Sequence, residues 1–521
     1  MTLNAQKLEV GLLAHNFFPR VAKRGDEFPP CFVSGAFTPA IASKLNSLPV
    51  KRTDGFGAIA ARATRYDLAP RNMEISHPRA FAAISRHLKT SWNEWKPVLS
   101  NPSSAIRVSE HDDGRVFSMI TSHDWESLVK PDSRFRAQVD VTNFYGSIYT
   151  HAFPWAVHGL PMAKVNRDDK SDWVNRLDSV LRQARRRETT GISTGPGTSA
   201  VAGEILLSQV DHALRKRGFD FVRYIDDYVF VAANRDCAEA FVSAVRDELA
   251  QLKLSIHPGK TSIREMPLAS SPRWMRHFRS ALRGPNTLHR ILDALDDAID
   301  LAASDNEDGV LRYVLVAIEE ALAEDSFPQH ARGPIVDRLL HIGFLRPIAI
   351  GTACRLLAVM GVSEVQARES ELNVTLREHA NALRTDAATW VLHTLLTSGI
   401  SPSKAAADSI VQARDCLMMA LLAEDASGLK SVSGFIEILE EESPTDYRRD
   451  EYWLIYYQFA LRGKRWSTVP QSFYAEFEPL LDDEVSFVDL SAVNPYKPFH
   501  KAEAPRRLNG GGISGRGPYS E

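Results

Sequence analysis

The feature that most constrains this chain is a pair of short apolar runs, FDFVRY at 219–224 and YVFVAA at 228–233, with Ile225-Asp226-Asp227 between them. Aromatic and β-branched residues on both sides of so short a break predict a β-hairpin with acidic residues at its turn. A lone hairpin is marginal in water, so the region must build a larger sheet or pack beneath helices. Two adjacent carboxylates at the turn also repel each other unless something neutralises them.

The surrounding segments supply partners. FRAQVDVTNFY at 135–145 alternates and is rich in β-formers, which predicts a strand carrying Asp140. Helical period runs from about residue 75 to 100, through PRAFAAISRHLKTSWNEWKPVL. Residues 171–188 predict a charged helix, and GISTGPGTSA at 191–200 reads as a loop. AVAGEILLSQVDHALRKRG reads as a helix ended by Gly218, and CAEAFVSAVRDELAQLKL as an amphipathic helix. SIHPGKTSI adds a turn and a short strand. Strand, helix, loop-helix, hairpin, helix and strand in that order predict an α+β domain, with helices on one face of an antiparallel sheet.

The character changes near residue 285. TLHRILDALDDAIDLAA, VLRYVLVAIEEALAE, AIGTACRLLAVMGV, ATWVLHTLLTSG and YWLIYYQFALRG all have helical period. Helix pairs recur at a loose spacing of about 40 residues, which suggests an α-solenoid, with an ordinary bundle as the alternative. A chain of 521 residues is too long for one hydrophobic core. The expected division is an α+β domain over 1–280 and an all-α domain over 285–490. The Gly-, Pro- and Arg-rich tail, 500–521, reads as disordered.

Composition excludes several classes. Apolar residues at 44% and charged residues at 24% suit a soluble globular protein. No apolar run reaches the roughly 18 residues of a membrane span, so no membrane partner is expected. The N-terminal patch LEVGLLAHNFF contains Glu9 and His15 and lacks a small-residue cleavage site, so it does not read as a secretion signal. Cys31, Cys237, Cys354 and Cys416 form no CxxC pair and read as buried hydrophobes in a reducing, cytoplasmic setting. The net charge of −3 means that any basic surface must be local. Arg185-Arg186-Arg187 is a candidate for one, a solvated helix face being the alternative.

Transfer of a nucleotide to a 3′-hydroxyl uses two divalent ions, one activating the hydroxyl and the other holding the triphosphate. Mg²⁺ takes hard oxygen ligands, so carboxylates from separate segments must converge. Asp140 at a strand end and Asp226-Asp227 at a hairpin turn can do so if hairpin and strand are neighbours.

Here the sequence resembles the reverse transcriptases. DVTNFY at 140–145 looks like that family's first catalytic motif, and GISTGPGTS at 191–199 like its Gly-rich motif. Tyr224-Ile225-Asp226-Asp227 matches its signature tetrapeptide, and HPGKT at 257–261 resembles its Lys-bearing motif. HPRAFAAISRHLKTSWNEW, SIYTHAFPWAVHG, Glu204 after the Gly-rich motif, RYIDDY and the long helical half resemble the bacterial abortive-infection branch, AbiK-type and phage-defensive.

The resemblance implies a fingers and palm domain followed by HEAT-like helical repeats. It implies Asp140 and Asp226 as the main Mg²⁺ ligands and Asp227 as the accessory carboxylate. Tyr145 would be the steric gate that favours dNTPs, and Tyr224 would line the nucleotide site. Gly195, with Pro196, would let backbone approach the nucleotide and primer end, and Lys260 would be a general acid. That branch implies untemplated, protein-primed synthesis, a single-stranded DNA product attached to protein, and a homo-oligomer, trimer or larger. Tyr66 and Tyr519 are the priming candidates. Ser193-Thr194 replace the family's Pro-Gln, His257 replaces its Asn, and its basic finger residues have no match here. Two other readings stay open: a templated enzyme with a non-coding RNA partner, and an inactive scaffold that binds a phage or host protein. His151 and His158 carry no assigned role, and Trp390 and Trp453 read as core.

Overall fold

The computed structural model describes residues 3–19, 27–49, 52–66, 69–108, 117–119, 125–269, 271–282, 287–305, 309–323 and 329–492. Helix α1 (Ala5–His15) starts at Asn4, whose side-chain oxygen accepts the Lys7 amide. The hairpin of β1 (Ala58–Tyr66) and β2 (Ala69–Ser76) runs in register from Ala58↔Ser76 to Ala63↔Arg71. Helix α2 (Pro78–Thr90) has Pro at its first position and packs on α1. Strands β3 (Ile106–Val108) and β4 (Phe117–Met119) pair with each other.

The central sheet contains β5 (Phe135–Val139), β6 (Phe221–Tyr224), β7 (Asp227–Ala232) and β8 (Ser262–Glu265), in the order β6-β7-β5-β8, all antiparallel. Helix α3 (Trp173–Gln183) is capped by Asp172, which accepts the amides of Val174 and Asn175. Beyond it come α4 (Gly197–Lys216) and α5 (Arg235–Gln251). Helix α5 covers the sheet, and Phe241 stacks on Phe230 of β7 at 4.6 Å.

Three boundaries differ from the sequence-based expectation. The strand expected over 135–145 stops at Val139, because Asn143 turns left-handed (φ 43°) and Phe144–Ser147 form a helical turn. The expected loop 191–200 ends early, because Gly197–Ala200 already form the first turn of α4. Pro196 precedes that turn in extended conformation, and the Gly197 amide donates to the Asn16 carbonyl. The charged helix stops at Gln183, with Arg186 and Arg187 at positive φ.

The C-terminal half comprises α6 (Leu288–Asp305), α7 (Gly309–Ala323), α8 (Gln329–Leu345), α9 (Ile350–Met360), α10 (Glu369–Asn381), α11 (Thr385–Thr397), α12 (Lys404–Ala413), α13 (Cys416–Leu422), α14 (Ala426–Glu442) and α15 (Trp453–Leu461). Helices pair as α6 with α7, α8 with α9, α10 with α11 and α12 with α13, and each helix packs on the next but one. The even-numbered helices α6 to α14 form one layer, and the odd-numbered helices α7 to α15 the other. The odd layer meets the β1–β2 hairpin: α11 and α13 pack on β1. The Arg62 amide donates to Thr385 Oγ1 (2.9 Å) and the Thr64 amide to Asp386 Oδ2 (2.6 Å).

The two ends of the chain share a core. Phe17 is within 5.2 Å of both Phe81 and Phe487, and Trp453 is fully buried beside them. Arg52 bridges Asp450 and Glu476 at 2.7 Å each, all three buried. Trp390 is buried as well. Cys31, Cys354 and Cys416 are buried, whereas Cys237, expected inside, is exposed in the first turn of α5. Among the described residues no helix is long and apolar enough to cross a membrane.

Candidate active site

The sheet order puts β5 beside β7, with Val139 opposite Tyr228. Asp140, one residue past β5, therefore lies next to the start of β7. Tyr224 pairs with Asp227, so Ile225 and Asp226 form a two-residue turn. Ile225 is left-handed there (φ 55°), an uncommon state for a β-branched residue that its surroundings must impose.

The restraint is Arg223. Its side chain is fully buried and donates to the Ile225 carbonyl at 2.6 Å. Two acids of α4 hold it charged. Asp211 accepts from Nε and Nη2 at distances down to 2.7 Å, and Glu204 accepts from Nη1 at 2.8 Å. Ser104 and Asn101 donate to Glu204 and Asp211 in turn. The resemblance singled out Glu204, but residue reading missed the network. The signal was present: Arg interrupts an otherwise apolar strand, and Glu204 and Asp211 lie seven residues apart on one helix face.

At the turn the electrostatics reverse. Asp226 is half-buried beside Asp227 and Asp140, and its carboxyl is pushed up to about 7 by desolvation first and then by those two charges. Lys260 opposes the shift. Its Nζ lies 3.5 Å from Asp140 Oδ2. The HPGKT turn holds it there, because the His257 amide donates to the Asp140 carbonyl (2.7 Å) and Val141 bridges Ile256. Asp140, Asp226, Asp227 and Lys260 thus come together from three separate segments.

This all-oxygen donor set with excess negative charge fits a hard divalent cation. Among the described residues no group of three or more His, Cys, Asp or Glu stands ready-made as a metal cage. A cation that takes only two carboxylates and completes its shell with water and substrate phosphates needs no such cage.

The other expected residues divide. Tyr145 lies against Phe144 at 5.0 Å and close to Gly203 of α4, and its carbonyl accepts the Ile192 amide. It therefore borders both the first motif and the Gly-rich segment. Gly195 (φ 118°) has a tight neighbour within the chain, since a Cβ there would fall 2.7 Å from Pro19. Pro196 sits at the start of α4. The Tyr224 hydroxyl accepts the Trp125 amide at 3.0 Å, which ties it to the 125–128 turn. Tyr66 closes β1, its side chain lying outside the described residues, as does all of Tyr519. His151 and His158 each bond an aspartate, Asp178 and Asp172. Of the basic run, Arg185 pairs with Glu74, and Arg186 lies over the Tyr447 ring, which leaves Arg187 as its exposed member.

Residues 99–279 match the family described as reverse transcriptase (RNA-dependent DNA polymerase). A reverse transcriptase domain is present, and it contains all four clustered residues. Among solved structures, apo telomerase from Candida tropicalis is similar at 9% identity and TM-score 0.32, over 80% of this chain and 77% of that one. Telomerase from Candida tropicalis in complex with a fragment of telomeric RNA gives 11%, 0.29, 74% and 65%. The corresponding Candida albicans complex gives 12%, 0.28, 76% and 67%. At such scores these likenesses carry no functional argument. No curated protein matches the chain.

Proposed function

We propose that this chain is a Mg²⁺-dependent DNA polymerase of the reverse transcriptase type, acting in abortive-infection defence against phage. Its DNA synthesis is untemplated and primed by a protein hydroxyl. The observation that carries the polymerase reading is the junction of Asp140 with Asp226-Asp227 across adjacent strands, with Lys260 at 3.5 Å. The defence and priming readings are supported by the motif-level resemblance alone.

In this mechanism Asp140 and Asp226 would hold Mg²⁺, with Asp227 as accessory. Bound there, Mg²⁺ would supply neutralisation of the triphosphate and of the attacking oxygen. Arg223 fixes the turn that aims Asp226. Lys260 carries a proton to the leaving pyrophosphate. Tyr145 fills the place of a ribose 2′-hydroxyl and selects dNTPs. The two-layered helices are HEAT-like repeats that cradle the product or join subunits in a trimer or larger assembly.

The test is incorporation of labelled dNTPs without primer or template, resolved with and without protease, in wild type, Tyr66→Phe and Tyr519→Phe. Protein-bound label lost in one tyrosine variant is the expected result. Activity only with added template and primer would replace the untemplated reading by a templated one with an RNA partner. No activity under any condition would leave the scaffold.

A further inference from the structure

A second polar site lies beyond the acidic turn. A cavity of about 1070 Å³ opens between residues 151–170 and α3. Its lining includes six Lys or Arg side chains, three Asp, His151 and Trp155. The acids are already engaged. Asp178 is bound by His151 (2.7 Å) and Arg182 (3.0 Å), Asp169 caps a local turn through Ser171, and Asp168 pairs with Arg167. Lys164, Lys170, Arg176 and Arg187 are all exposed and make no salt bridge among the described residues. Four exposed cations around one concavity, in a chain of net charge −3, make a local positive potential that draws an anion.

Aromatic rings adjoin the lining: Trp155 is part of it, and Tyr149 packs behind. Tyr149 lies 5.1 Å from His151 and 5.3 Å from Trp155, and Lys253 Nζ caps the Tyr149 ring at 4.1 Å. Rings beside cations are the pattern that takes single-stranded nucleic acid, bases stacking on rings and phosphates meeting Lys and Arg. The cavity follows the first motif along the chain. The segment from Tyr145 to Thr150 runs along 189–192: Ile192 donates to Tyr145, Gly191 to Ile148, and Thr150 to Thr189. One backbone ladder thus runs from Tyr145 to Thr150, next in the chain to His151 of the cavity lining.

We infer that this cavity binds a single-stranded nucleic acid, its phosphates on Lys164, Lys170, Arg176 and Arg187 and a base on Trp155. The purpose of the strand rests on the polymerase reading, but its binding can be measured separately. Fluorescence anisotropy of full-length protein, without dNTPs, with labelled oligothymidylate and oligouridylate tests it across a salt series. In K164A/K170A/R176A/R187A, affinity at low salt is expected to fall at least about tenfold. The salt slope is expected to become shallower by about 2 to 3, at roughly 0.7 per lost contact on a single strand. Trp155→Ala should weaken binding with the slope unchanged, and melting of both variants should match wild type. Tighter oligothymidylate binding would mark the strand as DNA, and tighter oligouridylate binding as RNA. Unchanged affinity and slope in the fourfold variant would overturn the site even if DNA synthesis proceeds. So would full competition by tripolyphosphate with no effect of Trp155→Ala. Strand binding as described with no synthesis would fault the polymerase reading alone.

Discussion

Asp211, buried, and Asp226, half-buried, are acids a short distance apart in sequence, and the fold treats them in opposite ways. Asp211 faces Arg223, donates nothing and accepts from two of its nitrogens, with Glu204 sharing the load. Burial raises its carboxyl, and the Arg223 charge works against that rise. Asp226 faces Asp227 and Asp140, whose charges add to the effect of burial and push it up to about 7. An acid whose role is structural is given a cation inside the fold. Three acids set together with one lysine keep an excess of negative charge that a cation from outside can meet. The two arrangements meet at one backbone carbonyl, that of Ile225, which Arg223 holds.

The comparison can be broken most severely by removing the acids that face each other. D226N/D227N is expected to lose dNTP incorporation by about 10³-fold or more, because the ion contacts stand for several kcal/mol. Its melting temperature should hold or rise, since a repulsion has been removed. Loss of folding would place these acids in the structural class instead.

Arg223→Met should do the reverse. It strands Glu204 and Asp211 as buried charges and is expected to cost about 3–5 kcal/mol in denaturant unfolding. Adding Glu204→Gln and Asp211→Asn should recover most of that stability. Activity should remain low, because the Ile225 carbonyl is still released. Full activity in the triple variant would show that the network does not aim Asp226.

Lys260→Ala is expected to lower kcat by about 10²-fold, the low end of proton-transfer effects, with KM changed far less. A rise in KM alone would assign Lys260 to binding.

The smallest expected effect separates the regions by pH. Burial lowers His87, His379 and His393 from 6.5 to about 4. The unfolded chain then takes up protons first, so their stabilisation is complete above about pH 6.5 and fades as pH falls towards 4. Asp226, with its raised value, has the opposite sign: its share is lost as pH rises from about 4 to 7. Amide exchange at pH 5 against pH 7 should therefore show faster opening in α10 and α11, which carry His379 and His393, than in β6 and β7. Equal acceleration in both would remove the contrast.

What was legible in the sequence follows from how local each signal is. The hairpin, Asp140 at a strand end and the Lys260 turn each rest on a few consecutive residues with a period or a turn signature. The early start of α4 was misread because a Pro and two Gly look like a loop, although Pro suits the entry to a helix and Gly197 is held by Asn16. The β1–β2 hairpin went unread because ARATRY and APRNMEIS lack clean alternation, and β1 is fixed by α11 and α13 from the far half of the chain. The Arg52 bridge to Asp450 spans 398 residues and leaves no local trace.

The most direct measurement is divalent-ion binding itself. Mn²⁺ titration followed by electron paramagnetic resonance, with a non-hydrolysable dNTP present, should show bound ion in wild type and in K164A/K170A/R176A/R187A, and none in D140N/D226N. Equal binding in wild type and D140N/D226N would contradict the assignment of the acidic turn as the ion-holding centre.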